Sequence, residues 1–249
     1  MTTARIDGTP DGDGTTIVLH WTADLTPAIA YLGARLAPGT DLDALVASLT
    51  PPLPHATLDV LPRIPLVPEA ARGFMGHPGV MLDRAPLGPE GGPPRGTLTV
   101  AEADVSDHAA RFTLRDERSR LALVLDLALD PETDVATAST RLRNEGAPLA
   151  VDWLSVPVVA VPARYTERLR FQGRWCAEFD AVRGPIRRGL SLDENRRGRT
   201  SHESFPGTVL LTPATSHTVR SGKAGRFWTG GPPPTSQETW RRRPASTWV

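Results

Sequence analysis

Polar and apolar positions alternate most clearly in the middle of the chain. RFTLRD (111–116) has a period of two. In LALVLDLAL (121–129), Leu121, Leu123, Leu125, Leu127 and Leu129 share one face of an extended strand, and Ala122, Val124, Asp126 and Ala128 share the other. Five leucines on one side predict a sheet face pressed on a core. DPETD turns the chain, VATASTRLRN (135–144) alternates small and polar groups, NEGAP turns it again, and LAVDWLSVPVVAV (149–161) returns. Upstream, TIVLHW (16–21) reads as a strand and YLGARL (31–36) as a strand and turn. Strands at this spacing, separated by turn residues, predict an antiparallel β-sandwich. No repeated strand–helix–strand pattern is present, which argues against a Rossmann fold or a (β/α)₈ barrel for this chain.

The pattern shifts to the helical period once. In TDLDALVASL (40–49), Leu42, Leu45, Val46 and Leu49 fall at i, i+3, i+4 and i+7, with Thr40 as the expected N-cap and Asp43 three residues on. TPPLP then stops the helix. Residues 1–14 are expected to be disordered or frayed. Residues 51–96, with PPLPH, PRIPLVP, GHPG and GPEGGPPRG, predict a long irregular region holding short strands at most.

Composition narrows the classes. Pro is 25 of 249 residues, about twice the usual share of ~5%, which disfavours long helices because Pro removes a donor and clashes in a helix interior. The formal net charge is zero, so no global field recruits nucleic acid or a membrane surface. The charge is uneven, however. From His217 onward Arg220, Lys223, Arg226, Arg241, Arg242 and Arg243 face Glu238 alone. That tail, 217–249, has no periodicity and reads as irregular and basic. Its Arg, Pro, Gly, Thr and Trp content also fits GC-rich coding translated out of frame. The lone Cys176 cannot form an internal disulfide, and no metal-ligand spacing is available. The N-terminus lacks a secretory pattern, and the longest apolar runs are far short of the ~18 residues of a membrane helix. A soluble cytoplasmic protein with no cofactor is the expectation.

Candidate chemistry is sparse. The six histidines show no zinc-motif spacing. SHES (201–204) has His202 beside serines but no nucleophile elbow. DGTPDGDG resembles a calcium loop without its closing Glu, and reads as a solvated terminus. ENRRGR (194–199) could cradle a phosphate, yet Asp193, Glu194 and Glu203 surround it, so an ion-paired turn is the favoured reading. Asp126 and Asp152 lie in strands, and nothing local marks them as a hydrolytic carboxylate pair.

One segment is more specific. GRWCAEFDAVRGPIRRGLSLDENRRGRTSHESFPG (173–207) resembles the end of the N-terminal domain of bacterial α-galactosidases of glycoside hydrolase family 36. The resemblance is carried by Gly173, Arg174, Trp175, Glu178, Phe179, Arg183, the run Glu194 to His202, Phe205, Pro206 and Gly207. YLGARL (31–36), RGFMGHPG (72–79) and RLRNEGAPLAVDWLSVPV (141–158) agree more weakly, so it spans roughly residues 16–212. It implies an all-β fold, a large antiparallel β-supersandwich with one or few short helices, over residues 15–216. It implies an accessory domain preceding a catalytic barrel, and a reaction that hydrolyses terminal α-galactosides with retention through two aspartates and no metal. Those aspartates belong to the barrel, so no catalytic residue carries over and the chain is expected to be inactive alone. The implied partners are α-galactosides once a barrel is joined, and a homo-oligomer; nucleic acid and membrane are not expected. Arg72 and Phe74, an arginine and an aromatic among glycines, are the candidates for sugar contact, and the same residue types also suit an interface. Trp175, Arg196, Arg197, Arg199, His202, Pro206 and Gly207 are read as structural-motif residues. The rival readings are a stand-alone carbohydrate-binding or protein-interaction module, and an unrelated hydrolase with scattered catalytic residues.

Overall fold

Strand alternation becomes three antiparallel sheets in the first of two compact units, residues 1–160, and one in the second, 161–249. The computed structural model describes residues 1–10, 14–49, 64–74, 76–82, 97–193 and 204–212, with the backbone of 227–229.

In the first unit the elements run β1 (Thr2–Asp7), β2 (Thr15–Trp21), β3 (Ala28–Ala34), α1 (Leu42–Leu49), a 3-10 turn (Ala70–Arg72), β4 (Val80–Leu82), β5 (Thr99–Val105), β6 (Ala109–Asp116), β7 (Leu121–Leu129), β8 (Ala136–Asn144) and β9 (Val151–Leu154). One sheet has the order β1-β2-β3 and another is the meander β5-β6-β7-β8; β4 pairs with β9. The five leucines of β7 are all buried, as are Phe112 and Leu114 of β6. Leu123, Leu125, Leu127 and Leu129 form one cluster with Phe112, Leu114, Ile6 of β1, Ile17 and Leu19 of β2, and Leu66, Val67 and Leu98 of the connecting segments. The two sheets therefore pack face to face. Each fully buried Leu or Phe contributes about 1.5–3 kcal/mol relative to exposure, and Trp21 meets Phe112 edge-to-face with centroids 5.0 Å apart. Val18, on the opposite face of β2, is also fully buried; α1 packs on the flanking strands β1 and β3 and buries its own Val46.

The N-terminus and the helix cap depart from the sequence reading for identifiable reasons. The expected frayed terminus contains β1, paired residue by residue with β2 from Thr2↔Trp21 to Asp7↔Thr16. Asp7 fixes its end: the carboxylate accepts Thr16 Oγ1–H at 2.5 Å and lies 2.8 Å from the Arg5 guanidinium. His108 donates from Nδ1 to the Asp7 carbonyl at 2.6 Å. The helix cap also moves by one residue. Asp41 Oδ1 accepts the Ala44 N–H at 3.0 Å, whereas the Thr40 hydroxyl donates to the Ala37 carbonyl. Asp41 thus satisfies the orphan donor of the first turn.

The returning segment 149–161 does not extend the meander. Only Val151–Leu154 is a strand, and it pairs with β4. Pro157 and Pro162 punctuate the chain beyond this strand, and Pro lacks the donor that a ladder needs.

The second unit holds β10 (Glu167–Arg174), β11 (Ala177–Pro185), β12 (Ser204–Leu211) and β13 (Phe227–Thr229), all antiparallel in the order β11-β10-β12-β13. Among its described side chains only Leu210 is buried. Phe205 packs edge-to-face on Phe171 at 6.0 Å and against Phe179 at 5.9 Å. In the tail read as irregular, residues 227–229 form β13; the remainder of 217–249 lies outside the described residues.

Candidate functional site

RGFMGHPG is built around a carboxylate. Glu69 precedes the 3-10 turn, and its Oε1 accepts the Leu98 N–H at 2.8 Å while its Oε2 accepts Arg72 Nε at 2.9 Å. Arg72 closes the ring by donating from a terminal nitrogen to the Leu98 carbonyl at 2.8 Å. Gly73 ends the turn at φ +82° with its N–H on Ala70 O, a left-handed position that favours glycine. Phe74 comes next, half-buried, its N–H on the Glu69 carbonyl at 3.3 Å. A Cβ at Gly76 would lie 2.6 Å from the Phe74 ring, so glycine lets the chain pass the aromatic edge. His77 then meets Trp153 of β9 in a tilted ring contact, with centroids 4.1 Å apart and planes at 44°.

The two sequence-predicted contact residues thus have unequal positions. Arg72 spends one side of its guanidinium on a structural clamp. Phe74 is held by the backbone beside it and keeps part of its ring exposed. Glu69, which pattern reading passes over, is the hinge of both. No local motif marks it, because its partner Leu98 is 29 residues away.

Burial pushes the Glu69 carboxyl above the ordinary glutamate range, outweighing the lowering effects of the Leu98 N–H and of Arg72. The folded state therefore binds this proton more readily than the unfolded state. The associated stability is fully present below the unfolded value and falls as pH rises through the folded one. Glu69→Gln removes the titration and keeps the acceptor for Leu98. In thermal melts from about pH 4 to 7, the melting temperature of the wild type minus that of the variant is expected to decrease as pH rises. A constant difference would contradict this.

The second cluster of predicted residues lies on the other unit. Trp175 and Cys176 form the two-residue connection of β10 and β11, with Cys176 at φ +65° and its N–H on Glu178 Oε1 at 3.2 Å. Trp175 is 79% exposed, so it serves no core. Gly173 is required by close approach: a Cβ there would sit 2.3 Å from the Ala177 carbonyl oxygen. Arg183 pairs with Glu167 across the hairpin. Pro206 and Gly207 fall where the β10–β12 ladder shifts register between Arg170 and Gln172, and a bulge tolerates a residue without an N–H. Arg196, Arg197, Arg199 and His202 lie outside the described residues; the neighbouring Asp193 is ion-paired with Arg170 and lies 3.7 Å from Arg168.

The sequence model of the glycosyl hydrolase family 36 N-terminal domain matches residues 16–227. The chain belongs to this family. It is 33% identical to an α-galactosidase of Escherichia coli over 189 residues, covering 73% of this chain and 24% of that protein. Among solved structures, an α-galactosidase from Lactobacillus brevis superposes with a TM-score of 0.68 at 17% identity, covering 85% of this chain and 31% of its own. The α-galactosidase AgaA of Geobacillus stearothermophilus gives 0.67 at 16%, with 85% and 32% covered. At such identities the likeness speaks for the fold, and it is the family 36 all-β N-terminal fold. The chain spans about a quarter to a third of the length of these relatives. Among the described residues, no helix of the family 36 domain is long and apolar enough to cross a membrane, and no group of three or more metal-ligating side chains is present.

Proposed function

We propose that this chain is the N-terminal accessory domain of an α-galactosidase-like glycoside hydrolase that cleaves terminal α-galactosides with retention in the cytoplasm. The observation that carries the reading is the family match across residues 16–227, which takes in strands of both units. Structures of a family 36 relative in complex with raffinose and with stachyose support a carbohydrate as ligand. Retention needs a nucleophile and an acid/base carboxyl about 5–5.5 Å apart, with a covalent glycosyl-enzyme between them. On this reading that pair belongs to a catalytic barrel, and this domain has a supporting role. The exposed part of Phe74, set by the Glu69–Arg72 clamp, borders the sugar, and a homo-oligomer brings such loops to neighbouring sites.

The 249-residue chain is expected to release no 4-nitrophenol from 4-nitrophenyl α-galactoside above the uncatalysed background. Turnover that survives purification to homogeneity and saturates with substrate would overturn the assignment. Calorimetric sugar binding without turnover, in a chain that no barrel can activate, would favour a free-standing binding module instead.

A further inference from the structure

The outward face of the meander carries a second arrangement suited to a ligand, apart from the Phe74 loop. Between β5, β6 and β7 lies a hollow of about 300 Å³ lined by Asp104, Ser106, Ala109, Arg111, Asp126 and Ala128. This volume is at the small end of the range for ligand sites. Its shape comes from register. Asp104 lies opposite Arg111 and Arg111 opposite Asp126, while Ala109 lies opposite Ala128. The two alanines make a low, apolar floor next to a row of charged walls.

The charges are arranged rather than diffuse. Arg111 Nε donates to Asp126 Oδ1 at 2.5 Å, and Asp126 raises the arginine's pKa further. The other Asp126 oxygen is 3.5 Å from Ser139 Oγ and 3.9 Å from Arg141. The fork of Arg111 is therefore held by its Nε edge. Its terminal amino groups, and the Asp104 carboxylate, have no hydrogen-bond partner among the described residues. Open donors thus sit beside open acceptors. An anion would meet two carboxylates here and a cation the Arg111 guanidinium. A neutral sugar suits both, since each hydroxyl donates to a carboxylate while accepting from a guanidinium. The alanine floor leaves room for the C–H face of the ring.

We infer that this hollow is a non-catalytic binding site for a neutral monosaccharide unit. The inference goes beyond the proposed function and does not rest on it. Because the site is open and polar, its affinity is weak, with a Kd on the order of 1 mM.

The test is an ¹⁵N NMR titration of the full chain with methyl α-galactoside to concentrations well above that Kd. Saturable shifts are expected at Ala109, Arg111, Asp126 and Ala128. Ala128→Leu fills the floor and Asp104→Ala removes open acceptors at an exposed position. Each is expected to weaken binding at least about tenfold, with the melting temperature unchanged for Asp104→Ala. If Ala128→Leu perturbs the fold, Asp104→Ala decides. Absence of saturable shifts, equal shifts from inorganic phosphate, or unchanged affinity in Asp104→Ala would each overturn the site. Shifts confined to the residues around Phe74 would overturn it too, while favouring the loop assigned above.

Discussion

Phe112→Ala is expected to remove about 3–5 kcal/mol of folding free energy, the usual cost of truncating a buried aromatic. Phe112 has no exposed surface and sits in the cluster that joins the two facing sheets. Three losses add at this site. The side chain no longer leaves water on folding, a cavity opens among the β7 leucines, and the edge-to-face contact with Trp21 disappears. With a typical domain stability of about 5–15 kcal/mol, the first unit would be near or below its folding threshold. Urea unfolding followed by tryptophan fluorescence and by circular dichroism checks this. Phe112→Leu, which keeps most of the volume, is expected to recover the larger part of the loss. A midpoint for Phe112→Ala indistinguishable from wild type would mean that the sheets do not pack through this residue.

The second large effect is polar. Asp134 ends the DPETD turn at φ +58°, and its carboxylate reaches across to the β1–β2 connection. Oδ1 accepts the Thr15 N–H at 2.9 Å and the Thr9 N–H at 3.4 Å, and Oδ2 accepts the Thr15 hydroxyl at 2.5 Å. Thr15 is buried, so losing the carboxylate strands a hydroxyl and a backbone donor away from water. Hydrogen bonds to a charged group are individually worth about 1.5–3 kcal/mol. Asp134→Ala is accordingly expected to cost about 2–4 kcal/mol in equilibrium unfolding. Part of that would be backbone strain, because Ala resists the left-handed conformation. Asp134→Gly separates the contributions: it relieves the strain, and whatever deficit remains belongs to the hydrogen bonds. A Thr15→Val background should then abolish the hydroxyl share of the deficit, and full additivity of the two changes would refute the coupling.

Asp134 and Phe112 differ in how far the chain itself announces them. Phe112 lies on the apolar face of RFTLRD and belongs visibly to a core. Asp134 looks like any acid in a turn, and its partner is 119 residues away. The same contrast runs through the candidate sites. RGFMGHPG stands out as a loop by its glycines, and Arg72 and Phe74 stand out within it. Glu69 does not, since its role depends on Leu98 arriving from a distant segment. The hollow on the meander is further from view: Asp104, Arg111 and Asp126 occupy three strands, each an ordinary charged residue on an outward face.

What the sequence determined by itself is the strands β2, β6, β7 and β8, the buried face of β7 and the position of α1. It also carried the resemblance to family 36 through the 173–207 segment. These are local: alternation with a period of two needs only the pleat of a strand, and a motif needs only its own residues. Tertiary structure alone decided which strands pair. It turned the first residues into β1 because Asp7 finds Thr16, Arg5 and His108. It sent β9 to β4 and away from the meander, and it set Asp41 at the helix cap ahead of Thr40. The physical reason is common to all of these. Pairing and capping depend on which distant donors and acceptors must be satisfied once water is excluded, and that competition has no outcome until the chain has closed on itself.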